Sequence, residues 1–404
     1  MSESARPRPA AGGRFARQTD QARAVAEKYA QQTDAAAEFP VAVLDELRAG
    51  GLLGLMVPTE YGGLGGTLDE LLDVSIALGR TDLSAALIFA MHCQQVACVV
   101  THAAPPLAEE LLPQIAAGRM YLASVTTEPG KGGHLLTAGA QLSADEGRSG
   151  HLELDRFAPI VTGGAYADGF LISMRAPEAP SADAVSLVFA RRDQLEITAS
   201  GEWDPLGMRA SHSVALRLTG SIPGHQVVGE HGEFRAVVLQ TLGPLAHLGW
   251  SACWLGTAAG ALSRVLRMLR ESARGKDGKD GRLESELLLS RLSRARQRLD
   301  TVHALLRHTA AVVTAAAEGG TDVSLPRNQL LINSLKLTAS EECHRAVEDL
   351  IDAVGLRHGY LRNSPTRLEK ALRDLRSAPL NYSNDRLHQA DGVLALLDAG
   401  VSFA

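Results

Sequence analysis

The chain is poor in aromatic residues, which supply 4% of its 404 positions, and it holds four cysteines, Cys93, Cys98, Cys253 and Cys343. None of them stands in a CxxC pair. All four fall in stretches that read as helix, where a free thiol behaves as a small apolar residue, so reduced core cysteines of a cytoplasmic protein are expected. The neighbours Cys343 and His344 point in different directions on a helix, and no metal site follows from them. There is no excess of positive charge: the net charge is −6 and the pI near 6.1, which excludes a nucleic-acid footprint while leaving room for a local basic patch that meets a phosphate. No uninterrupted apolar run reaches about 18 residues, so no membrane span is expected. The stretch Met1–Arg17 has no apolar core and reads as a mobile tail rather than a signal or an anchor.

What is present is an ordinary globular composition, 45% hydrophobic and 21% charged, at a length that suits two or three domains. Residues 18–119 read as a helical domain, with Val43, Leu44 and Leu47 on one stripe and Leu68, Leu71, Leu72 and Leu78 on another. Between these stripes the glycine-rich run Val57–Gly66 breaks any regular element and must be a shaped loop. Over residues 120–228 the period changes to two: Phe170, Ile172 and Met174 alternate, as do Val185, Leu187 and Phe189, then Val214, Leu216 and Leu218. This predicts a small antiparallel, barrel-like β-domain. Over 229–404 the helical period returns. Leu288, Leu292, Ala295, Leu299, Val302 and Leu306 form one seam, and Ala339, Cys343, Ala346, Leu350 and Ala353 another behind Pro326, a helix starter. A four-helix bundle follows, with the polar run Arg274–Arg282 joining two of its members. The order of helices, β-domain and bundle offers no strand, glycine loop and helix of the doubly wound kind, so dinucleotide-fingerprint logic does not apply.

Four motifs in this order resemble the acyl-CoA dehydrogenase superfamily over nearly the whole chain. Val57–Gly66 is similar to its proline–tyrosine–double-glycine loop. Val125–Gly133 resembles its threonine-glutamate-proline-glycine turn. Leu206-Gly207-Met208-Arg209 matches its run before the last β-strand, and Arg373-Asp374-Leu375-Arg376 the run before its catalytic loop. A glycine-rich turn presents backbone N–H groups in a concave array suited to an anionic or electron-rich edge. The resemblance implies FAD between the β-domain and the bundle, or reduced FMN or FAD supplied by a reductase. It places Thr126 and Thr127 at the flavin ring and Gly132 and Gly133 at the pyrophosphate. Ile160 stands where relatives carry tryptophan, which opens the wall at flavin N5, and Thr162 keeps a hydroxyl there. Arg274 is the nearest counterpart of a phosphate-binding arginine, although no Phe-Gly follows it. Gly355 and Gly359 lie in a segment like the glycine-rich turn that meets FAD across a subunit interface, or are a simple helix cap. A homodimer or homotetramer is implied.

The family's catalytic glutamate is absent. Removal of an α-proton needs an ionised group beside the α-carbon, and glutamate fits that task. Tyr382 occupies the usual position, and its reference pKa of about 10 would have to fall by roughly three units to serve. The alternative position, on an early bundle helix, is Ala246. His247 beside it and Asp385 near the usual position are the other candidates for the base, and the catalytic residue stays undecided among Tyr382, His247 and Asp385. The expected function is an FAD-dependent oxidoreductase acting on an acyl thioester, bound to CoA or to an acyl carrier protein, with an atypical base. A flavin monooxygenase using reduced flavin and oxygen, and a noncatalytic scaffold, are the other readings. An electron-transfer partner or a flavin reductase would accompany the first two.

Overall fold

A computed structural model describes residues 13–130, 134–274, 285–319, 322–398 and 400–404. Five helices come first: α1 (Ala16–Ala36), α2 (Val41–Ala49), α3 (Leu68–Gly79), α4 (Leu83–His102) and α5 (Pro105–Ala116). α3 opens on a capping box, in which the Thr67 hydroxyl accepts the Glu70 N–H and the Glu70 carboxylate accepts the Thr67 N–H. α4 opens on Asp82, whose carboxylate accepts the Ala85 N–H at 2.9 Å. By length and composition α4 could cross a bilayer, but 89% of its most apolar window is buried in the fold, so it is a core helix, apolar all round because it is covered all round. The expected tail ends earlier than Arg17. Phe15 is buried, Arg14 donates to the Leu64 carbonyl at 2.7 Å, and α1 starts at Ala16, because apolar contact and helical bonding recruit these residues. The loop Val57–Gly66 is dense: a Cβ on Gly63 would lie 2.1 Å from the Val57 carbonyl oxygen, so only glycine fits there.

Eight strands follow: β1 (Leu122–Val125), β2 (Ser143–Ala144), β3 (His151–Ala158), β4 (Gly169–Arg175), β5 (Val185–Arg191), β6 (Leu195–Ser200), β7 (Ala215–Pro223) and β8 (Val227–Val228). They form two four-stranded sheets, ordered β1-β4-β5-β8 and β2-β3-β7-β6. Among the described strands the pairing departs from the antiparallel expectation where β1 runs parallel to β4, with Leu122 opposite Gly169, and two isolated bridges, Gln141 with Arg175 and Val185 with Glu233, are also parallel. Between these two strands the chain builds β2 and β3 in the other sheet, an excursion that no hairpin could make. β4 and β5 are buried on both faces, whereas β3 alternates, with Leu154, Arg156 and Ala158 inside and Asp155 and Phe157 outside.

A short α6 (Phe234–Val237) and a π-helical turn over Val238–Leu242 lead into α7 (Gly243–Arg274), which is followed by α8 (Glu286–Ala317), α9 (Pro326–Gly359), α10 (Leu368–Leu375) and α11 (Asn384–Leu397). Leu288, Ala295, Leu299, Val302 and Leu306 are buried along α8, and Ala339, Cys343, Ala346 and Leu350 along α9, so the two seams read from the sequence are the bundle core. All four cysteines are free and buried, and burial pushes each thiol above its ordinary pKa. α9 is broken at Gly355, whose φ of 71° no helix contains. α3 and α7 touch backbone to backbone: a Cβ on Gly79 would stand 2.5 Å from the Cys253 carbonyl oxygen, and one on Gly256 2.3 Å from that of Ile76.

Candidate functional site

A cavity of about 540 Å³ opens where the end of β1, the loop after β3, α4, α7 and the turn before α11 converge. This is a volume typical of small-ligand and cofactor sites. Its first wall is the turn after β1. Glu128 anchors that turn: its carboxylate accepts the N–H groups of Gly139 and Ala140 at 2.9 and 2.8 Å and forms an ion pair with Arg156 at 2.6 Å. Arg156 lies fully buried on β3 and also donates to the Thr127 carbonyl at 2.9 Å. The Thr127 hydroxyl donates to the Ile160 carbonyl at 2.8 Å and accepts the Ile160 N–H at 3.3 Å, which ties the turn to the loop after β3. In the same wall Thr162, Ser213 and Ser211 form a hydroxyl chain with oxygen separations of 3.0 and 2.8 Å. Ile160 faces the cavity and is 51% exposed, so the side chain standing in the aromatic position does not cover the opening.

The opposite wall is apolar and late in the sequence. Leu87 and Met91 come from α4, Trp250 from α7, and Leu380 to Ser383 with Arg386 from the segment entering α11. Two motifs far apart in the chain set that segment in place. The Met208 N–H donates to the Asp374 carboxylate at 2.7 Å, Arg373 donates to the Leu206 carbonyl at 3.1 Å, and a Cβ on Gly207 would lie 2.1 Å from the Arg373 carbonyl oxygen. Asp374 is itself held by Lys370 at 2.7 Å, and Arg373 forks onto Asp34 at 2.6 and 3.2 Å. Both runs therefore clasp the β-domain to the helices, and neither Arg373 nor Asp374 lines the cavity.

Of the expected site residues, Thr126, Thr127, Ile160, Thr162 and Tyr382 line one cavity. Gly132 and Gly133 lie outside the described residues, as does the side chain of Arg274, the last residue of α7. Gly355 and Gly359 sit at the break and the end of α9 and do not line the cavity. Asp385 is exposed in the first turn of α11, away from the cavity lining. His247 is buried beneath the wall, its ring 6.1 Å from that of Tyr382. Burial together with the nearby Lys336 charge lowers its pKa to about 3. Ala246 is buried beside it. Tyr382 has its pKa raised by burial, which is the wrong direction for a base. Sequence reasoning missed the Arg156–Glu128 anchor, the Ser211 and Ser213 hydroxyls, and Lys336 beneath the turn. An arginine on the inward face of an alternating strand was the signal available for the first, since a buried charge requires a partner.

The donor set suits a flavin ring: a polar edge of fixed hydroxyls and an apolar face. Residues 17–119 match the family described as acyl-CoA dehydrogenase, N-terminal domain, and residues 248–380 match acyl-CoA dehydrogenase, C-terminal domain. The chain is similar to the amino sugar nitrososynthase DnmZ of Streptomyces peucetius, 29% identical over 60% of this chain. The match spans 60% of that relative's own length. It is also similar to the mitochondrial isobutyryl-CoA dehydrogenase of Dictyostelium discoideum, 23% identical over 86% of this chain and 80% of that protein. Among solved structures, FMN-bound TdsC from Paenibacillus sp. A11-2 superposes with a TM-score of 0.82, covering 96% of this chain and 98% of that one. At 21% identity this is a likeness of fold.

Proposed function

Because the chain belongs to the acyl-CoA dehydrogenase superfamily and is a flavin-dependent oxidoreductase, we propose that it acts as a flavin monooxygenase rather than as a dehydrogenase of acyl thioesters. One observation carries this reading. Among the described residues lining the cavity the one carboxylate is Glu128, and it is committed to Arg156 and to two backbone N–H groups. A carboxylate that removes the α-proton must be ionised and unengaged. Tyr382 is shifted away from ionisation, and His247, with a pKa near 3, holds a proton too weakly to serve. A reduced flavin held here would supply two electrons to dioxygen, chemistry that asks for no carboxylate base. Thr127, Thr162 and Ser213 would hold the ring edge, and Leu87, Met91 and Trp250 would keep bulk water from one face.

The half-exposed Ile160 supports the same reading, because a small side chain leaves an approach to the ring edge for oxygen and a substrate. FMN or FAD delivered by a reductase is the expected cofactor supply. A second copy of the chain is part of the proposal: Leu356 on α9, Tyr360 just after it, and Val393, Leu396 and Leu397 on α11 are exposed apolar residues that a subunit contact would cover. Gly355 belongs to that contact in this reading, whereas Gly359 is already buried against Ile351. Anaerobic addition of a panel of acyl-CoA thioesters to the flavin-loaded protein tests the proposal. No bleaching of the flavin band is expected, while reduced FMN or FAD is oxidised rapidly when air is admitted. Stoichiometric bleaching by any acyl-CoA would establish a dehydrogenase and sink the proposal.

A further inference from the structure

Lys336, on α9, is fully buried and faces no carboxylate at bonding distance among the described residues. Its ammonium donates to the Tyr382 carbonyl at 2.8 Å and to the Asn384 side-chain oxygen at 2.7 Å, and it lies 5.8 Å from the ring of Trp254. Both acceptors flank the turn that carries Tyr382 onto the cavity wall. Tyr382 has a φ of 52°, in the left-handed region that a side chain with a Cβ avoids unless its surroundings impose it. Asn384 is cross-braced in turn by Ser340, which accepts from it at 3.1 Å.

We propose that Lys336 is the positioning residue of the cavity, its ammonium holding the Tyr382 turn in the left-handed conformation so that the wall is set while the amine is charged. An ammonium binds carbonyl oxygens more strongly than a neutral amine does, so loss of the proton loosens the clamp without removing it. Burial lowers the Lys336 pKa to about 7, opposed by the negative charge of Glu341 on the same helix. The titratable groups around it from other elements are His247 on α7 and Tyr382 on the turn, with Arg386 of α11 bearing on Tyr382. His247 is held neutral above about pH 3 and Tyr382 is shifted upward, so neither changes charge near pH 7.

The proposal rests on flavin occupying the cavity for one of its two readouts. FMN affinity, measured by quenching of flavin fluorescence between pH 6 and 9, is expected to weaken at least fivefold in the natural protein with a midpoint near 7. Lys336→Arg, which keeps its charge, should bind tightly and show no slope. Lys336→Met should bind at least fivefold more weakly, also without slope. Asn384→Asp, by adding a carboxylate partner, should move the midpoint up by more than about one unit. The second readout needs no flavin: backbone hydrogen exchange over Pro379–Asn384 at fixed pH should quicken at least tenfold in Lys336→Met and stay unchanged in Lys336→Arg. A flat profile in the natural protein, a slope retained by Lys336→Arg, or unchanged exchange in Lys336→Met overturns the assignment. If circular dichroism shows Lys336→Met unfolded, Lys336→Arg and Asn384→Asp decide it. Absence of FMN binding at every pH would strike the placement of flavin instead, with hydrogen exchange still judging the clamp.

Discussion

The two walls of the cavity are built to different standards. On the β-domain side most polar groups at the cavity are paired, Glu128 with Arg156 and two N–H groups, Thr127 with Ile160, and Thr162 with Ser213, while the Arg156 Nε stays without a partner. On the helical side, His247 Nδ1, Ser251 Oγ and Trp254 Nε1 are buried without a hydrogen-bond partner among the described residues, and a buried lysine rests on neutral oxygens. Two buried histidines, both on helices, differ in the same respect. His92 is buried with both nitrogens engaged, one with the Leu53 carbonyl at 2.9 Å and the other accepting the Leu122 N–H at 3.0 Å. His247 is equally buried and keeps a nitrogen unpaired. Fully satisfied networks rigidify, and incompletely satisfied ones mark sites under other demands. In the proposed function the paired wall would be the preset seat of the cofactor.

The largest expected effect comes from breaking the paired wall. Arg156→Leu leaves Glu128 nearly buried without its cation and should destabilise the fold by about 3–5 kcal/mol, read as a shift in the urea midpoint, with loss of flavin retention. A change below about 1 kcal/mol would show that the anchor is dispensable. An intermediate effect is set by pH. His92 and His247 titrate near 4 and 3 in the fold, below an unfolded value of about 6.5. The unfolded chain therefore binds more protons in that interval. Stability should be constant above pH 6.5 and fall as pH drops toward 4, by at most about 1.4 kcal/mol per unit for each ring. His247→Phe should lessen that slope at little cost at pH 7, whereas His92→Phe, which loses two bonds, should cost about 1–3 kcal/mol there. Equal costs at pH 7 would erase the distinction between the two histidines. The smallest effect belongs to Tyr382→Phe: turnover should change less than about threefold, since the hydroxyl is not used as a base. A loss above about a hundredfold in kcat would make it a participant.

Much of the frame was legible in the sequence. Period-two runs such as Val185, Leu187 and Phe189 fall in strands, and the Leu288 and Ala339 seams fall in paired helices, because burial on one face imposes a period wherever it occurs. The parallel step of β1 onto β4 was not legible, since residues alternate alike in either pairing direction. At the site, Thr126, Thr127, Ile160, Thr162 and Tyr382 line one cavity. Asp385 is separated from Tyr382 by the first turn of a helix that carries it outward, a direction sequence spacing does not encode. Lys336 and Ser213 come from elements distant in the chain, and residues that meet only by tertiary packing carry no local pattern.

The clasp between Leu206–Arg209 and Arg373–Asp374 has a consequence for the order of assembly. It joins positions 166 residues apart, so the second wall of the cavity forms only after the β-domain and nearly the whole bundle have been synthesised and brought together. Contacts of such separation bring loop-closure entropy into the folding barrier and form slowly. A cofactor that requires both walls is therefore a late ligand in the life of the chain. Its capture would draw the folding equilibrium forward at the last step, by an amount that grows with the logarithm of its free concentration.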